Sequence, residues 1–90
     1  MSEDNQETLL EFPCEFAVKA MGETTPDIDV VVVEIVRRHV EDLQEAAVRT
    51  KQSSGGKFTS VTVTINATSK AQLDAIYQDL SAHDAIKFVL

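Results

Sequence analysis

The sequence predicts an α+β domain in which two helices cover one face of a four-stranded antiparallel sheet, and three observations carry that prediction. Two stretches alternate apolar and polar residues with period two, as half-buried strands do. Two others repeat their apolar residues at helical spacing. Between two strand candidates, Ser53-Ser54-Gly55-Gly56 reads as a chain reversal. Ninety residues are enough for one core and too few for two, with about 60–65% of the unfolded chain's surface removed from water on folding.

The first strand spans Phe12 to Met21, with Cys14, Phe16, Val18 and Ala20 on one side and Glu15 and Lys19 on the other. Pro13 fits only its beginning, because it has no N–H for a ladder, and Gly22 ends it. From Thr25 to His39 propensity and position disagree: Val30 to Val33 favour a strand. Thr25 as N-cap, Pro26 at the first helical position, and Asp27 and Asp29 at the positive end of the dipole favour a helix. Arg37, Arg38 and His39 suit its negative end, and Ile28, Val31, Val32, Ile35 and Val36 recur at helical spacing, so a helix is predicted. Val30 and Val33 widen its apolar face and imply burial against a sheet.

Ala46 to Gln52 forms the second strand and Lys57 to Ala67 the third, with Val61, Val63, Ile65 and Ala67 facing inward. The Gly55-Gly56-Lys57 between them invites a phosphate-loop reading, which fails. Lys51 stands where such a loop needs its first glycine and Phe58 where it needs Ser or Thr, and the loop leads into a strand instead of a helix. Ser69 with Gln72 makes a capping box ahead of Leu73, Ile76, Tyr77 and Leu80, one face of a second helix. Ile86, Phe88 and Leu90 then alternate with Lys87 and Val89 in a last strand.

The element order is thus β-α-β-β-α-β. Right-handed crossovers favour the ferredoxin-like sandwich with strand order 4-1-3-2 and both helices on one face. Its core is expected to hold Phe16, Val18, Val32, Ile35, Val63, Ile65, Leu73, Ile76, Leu80, Ile86 and Phe88. Residues 1–11 form an acidic tail expected to be mobile, and residues 12–90 the single domain.

Composition narrows the function. The longest purely apolar run is Val30 to Val33, too short to span a bilayer, and the acidic start differs from a secretory signal, so no membrane role and a cytoplasmic address are expected. The single cysteine, Cys14, excludes an internal disulfide and a cysteine-cluster metal site. A net charge of −7, with the eight Lys and Arg scattered along the chain, opposes nucleic acid. The outward strand positions Lys19, Thr62, Thr64 and Lys87 carry no ring for bases to stack on, while Phe16 and Phe88 point inward by alternation.

Catalysis finds no foothold either. Soft-metal carriers of this shape need Cys-x-x-Cys after the first strand, where Glu23-Thr24-Thr25-Pro26 stands. Acylphosphatase-type chemistry needs an arginine in that loop, and the loop has only acidic charges. Glu34, Glu41, Asp42 and Glu45 lack the glycine bend of a calcium loop and read as a solvated face. His39 and His83 each end a helix, and no nucleophile–base pair is visible. No catalytic residue, cofactor or metal is therefore expected. What remains is a binding module, with Met21, Gly22, Glu23 and Thr24 as its ligand-binding loop: Gly22 allows a close backbone approach, and Glu23 and Thr24 offer polar groups to a small ligand.

Leu9 to Phe16, Lys19-Ala20-Met21-Gly22, Arg38-His39, Ser53 to Lys57, Thr64 to Thr68 and the closing Phe88-Val89-Leu90 together resemble the YbeD-like family of small bacterial proteins. The resemblance covers nearly the whole chain beyond the acidic tail. It implies the same βαββαβ sandwich and a likeness to the ACT regulatory domains that sense amino acids. It implies no activity and no catalytic residues, because the family has no established biochemical function. Two functions of different class follow: a small regulatory module that binds a metabolite or a partner protein, or an accessory subunit of a metabolic enzyme or a cryptic enzyme. A homodimer is plausible through strand edges or the open face, with Arg49, Lys51 and Lys87 discouraging uncontrolled edge pairing.

Overall fold

Two long strands form the middle of the sheet. In the computed structural model, which describes residues 11–41, 43 and 47–90, β1 (Cys14–Glu23) pairs antiparallel with β3 (Phe58–Ala67) along its whole length, from Cys14 opposite Ala67 to Glu23 opposite Phe58. β2 (Val48–Gln52) joins the far edge of β3, and β4 (Ile86–Val89) the far edge of β1. The order β2-β3-β1-β4 is the expected 4-1-3-2 read from the other edge.

The period-two pattern decides which residues enter the core. Val18, Ala20, Val61, Val63, Ile65 and Ala67 are buried on the inner face of the sheet and meet both helices in a single cluster. α1 (Ile28–Arg37) contributes Ile28, Val32, Ile35 and Val36, and α2 (Lys70–Ala82) contributes Leu73, Ile76 and Leu80. The four-valine run of α1 is helical as predicted, because burial of one face against the sheet outweighs β propensity. Val30 does not join the core: it is 50% exposed, on the flank of the helix that borders β2.

Local chemistry at the element ends is mostly as the residues dictate. Gly55 and Gly56 turn the β2–β3 hairpin with φ of 85° and 76°, and the Ser53 Oγ accepts from the Phe58 N–H at 3.0 Å to close it. Ser69 Oγ accepts from the Gln72 N–H at 3.0 Å, and Gln72 Oε1 reaches back to the Thr68 N–H at 2.8 Å, one residue before the expected partner of a capping box. At α1, Thr25 and Pro26 are not the cap and first turn. Thr25 Oγ1 donates to the Asp27 carboxylate at 3.2 Å, and the helix starts at Ile28 behind Asp27, whose side chain makes no capping bond.

Three further expectations need correction. Gly22 does not end β1, which continues through Glu23 because β3 offers Thr59 and Phe58 as partners. Phe16 is half-buried against the core rather than inside it. Phe88 points outward and is 61% exposed. Its cause is a bulge: Gly22 faces Ile86 but Met21 faces Phe88, so two β4 residues oppose one on β1 and the alternation reverses. Residues 1–10 of the acidic tail, and Asp42, Glu45 and Ala46 of the link after α1, lie outside the described residues.

Candidate functional site

The four residues expected to form a binding loop lie on the end of β1 and just beyond it. Met21 faces outward between Ser60 on β3 and Phe88 on β4. Gly22 is buried, and a β-carbon there would stand 2.1 Å from the Ala85 carbonyl oxygen and 3.0 Å from Ile28 Cδ1. The close approach that Gly22 allows is thus made by the chain's own backbone where β4 begins. Glu23 is exposed at the end of the sheet. Thr24 extends the strand by donating its N–H to the Lys57 carbonyl at 2.9 Å, and its hydroxyl shares a 2.7 Å hydrogen bond with that of Thr59.

The histidines do structural work. His39 Nε2 lies 2.6 Å from the Asp79 carboxylate, and the His39 carbonyl accepts from Gln72 Nε2 at 2.7 Å, so the end of α1 is tied to α2 at two points. His83 Nδ1 accepts from the Ala85 N–H at 3.1 Å within the turn that leads into β4. Tyr77 Oη donates to the Leu90 carbonyl at 3.3 Å, and burial pushes its phenol up from the usual range. Cys14 is half-buried against the core. Among the described residues, no three His, Cys, Asp or Glu side chains converge on one point.

The side of the sheet that neither helix covers gathers what the linear sequence keeps apart. Register places Lys19, Thr62 and Arg49 in one row across β1, β3 and β2, and Met21, Ser60 and Lys51 in the next. Lys19, Arg49, Lys51, Ser60 and Thr62 line an open groove of about 320 Å³. Among the described residues, none of these three cations has a carboxylate at salt-bridge distance. Phe88 and Leu90, 61% and 70% exposed, border the same face on the β4 side. Leu90 is held there by mutual backbone hydrogen bonds with Lys19, at 2.7 Å and 3.4 Å.

Sequence reasoning missed this face for two reasons. The basic residues are not scattered in space, because the hairpin folds Arg49 and Lys51 onto β3 beside Lys19. Their i, i+2 spacing within a strand was a usable signal, since it puts both on one side. The ring expected to be absent from the outer surface is supplied by Phe88 through the bulge.

A second groove, of about 470 Å³, runs between α1 and β2 and is lined by apolar residues that include Val30, Val33 and Val48 together with Asp29, Glu34 and Arg37. No helix among the described residues is long and apolar enough to cross a membrane.

Comparison with known proteins agrees with the family resemblance read from the chain. Residues 7–90 match the family model described as "Protein of unknown function (DUF493)". A UPF0250 protein of Chromobacterium violaceum is 48% identical over 90 residues, covering 100% of both chains. Similar proteins from Paraburkholderia phytofirmans and Neisseria gonorrhoeae are 44% and 40% identical, covering 93% and 98% of this chain and 94% and 97% of theirs. The solution structure of protein HP0495 from H. pylori superimposes with a TM-score of 0.72 over 90% of this chain and 85% of that one, and its 18% identity speaks to fold alone. With a relative this close over its full length and a family model spanning all but the first residues, the chain belongs to the DUF493 family, the UPF0250 or YbeD-like proteins that its own residues resemble.

Proposed function

We propose that this chain is a small regulatory module that acts by binding and performs no turnover, and that its working surface is the open face of the sheet. The observation that supports this is the concentration of Lys19, Arg49 and Lys51 beside exposed Phe88 and Leu90 in a chain whose net charge is −7. Apolar side chains next to cations that pair with no carboxylate among the described residues, on the side of the sheet the helices leave open, are the makings of a recognition surface. A partner protein fits that surface better than a small metabolite. The groove is open, and the Gly22 corner where a metabolite was expected is filled by the Ala85 carbonyl. Single-stranded nucleic acid fits less well, because Phe88 is at the sheet edge, Phe58 at the hairpin end of β3 is half-buried with Lys57 over its ring, and Lys19, Met21, Thr62 and Thr64 between them have no ring.

The test is capture of a partner from bacterial lysate by the full chain and by Phe88→Asp, a change at an exposed position that leaves the core untouched. A partner held by the natural chain and lost by Phe88→Asp supports the reading. Equal capture by both removes the open face from it. Turnover of a substrate that Glu23→Gln or Thr24→Val abolishes would replace it with the enzyme alternative.

A further inference from the structure

We infer that the open face binds an acidic, extended peptide segment of a partner protein, with carboxylates at alternate positions laid against Lys19, Arg49 and Lys51. The inference rests on the binding-module reading and names the chemistry of its partner.

Spacing is the first argument. Arg49 and Lys51 are two residues apart on one strand, so their backbones are separated by about 6.7 Å, the repeat of same-side residues in any extended chain. Lys19 lies two strands away in the Arg49 row, about 10 Å across. Carboxylates at i and i+2 of an extended segment match the first distance, and a further acidic residue reaches Lys19.

The construction of the groove is the second. A compact inorganic anion is held best where backbone N–H groups converge. Here the N–H groups of β1 and β3 are spent in the ladder, and the donors are side chains spread over three strands. Ser60 Oγ donates to the Lys51 carbonyl at 3.3 Å, so among the described residues the donors this groove offers are the Thr62 hydroxyl and the three cations. A multivalent segment that touches several of them at once suits such a layout. Phe88 and Leu90 extend the face with apolar surface for the side chains that alternate with the acidic ones.

Charge also decides against a second copy seated face to face. Two such faces would bring their cations together across a low-dielectric contact, which is repulsive. The acidic residues on the same side of β1, Glu15 and Glu23, are four positions from Lys19, about 13 Å along the backbone, and neither is at salt-bridge distance from it.

Fluorescence anisotropy of a labelled peptide alternating Glu with Leu and Thr, titrated with the full chain, tests the inference. Its controls are the same peptide with Gln for Glu and a labelled oligouridine. Lys51→Glu on the open face is compared with Lys70→Glu on α2, which changes net charge equally, and circular dichroism confirms that both variants fold. Expected are preference for the Glu peptide, a loss of roughly tenfold in affinity with Lys51→Glu, and little change with Lys70→Glu. The inference is overturned if the Glu peptide does not bind, if the Gln peptide binds equally, if Lys70→Glu weakens binding as much as Lys51→Glu, or if oligouridine binds more tightly. Peptide failure alongside Phe88-dependent partner capture would reject the acidic chemistry and leave the binding module standing.

Discussion

Gly22 is the residue at which sequence and packing are most tightly linked. A single added carbon would meet the Ala85 carbonyl at 2.1 Å, and backbone cannot step aside as a side-chain tip can. Gly22→Ala is therefore expected to destabilise the fold by about 1–3 kcal/mol or more and to loosen β4, measured as a lower urea midpoint. Gly55 presents the opposite situation. Nothing lies within 4 Å of the added carbon, but φ is +85°, so Gly55→Ala should cost only the left-handed backbone term of about 1–2 kcal/mol. Equal, negligible effects at both would mean that neither constraint operates. Phe88 illustrates the reverse relation, an apolar residue that strict alternation assigns to the core and a one-residue bulge turns toward solvent.

At the scale of elements, the helices are fixed by one buried face each and by their ends. Leu80 is fully buried at the meeting point of α2 with the sheet, and Leu80→Ala should cost about 2–5 kcal/mol in chemical denaturation. A loss under about 0.5 kcal/mol, the scale of a surface change, would contradict the packing. Ser69→Ala removes the acceptor for the Gln72 N–H and should cost about 1 kcal/mol, with hydrogen exchange accelerated in the first turn of α2. Exchange unchanged in that turn would show that the cap carries no weight.

Across the whole molecule, the elements and their order were legible because alternation, helical spacing, the Gly55-Gly56 reversal and the Ser69 cap are all local signals. The start of α1 was misread by a few residues because Thr25 and Asp27 are both good caps, and which is used depends on how the chain leaves Thr24, hydrogen-bonded to Lys57 and Thr59. The candidate surface was hidden for a different reason. Lys19 and Arg49 are thirty positions apart and become neighbours through β3 only once two registers are known. The bulge at Phe88 arises from the pairing with Met21 and leaves no mark in composition. A chain of strongly negative net charge thereby keeps a positive, partly apolar surface on the side its helices leave bare.

The most direct measurement is amide chemical-shift mapping of the full chain by NMR during titration with the Glu-containing peptide. Perturbations clustered at Lys19, Arg49, Lys51, Thr62 and Phe88, with the amides of α1 and α2 unmoved, are the predicted result. Perturbations centred on the helices, or on the groove beside Val30 and Val33, would contradict it.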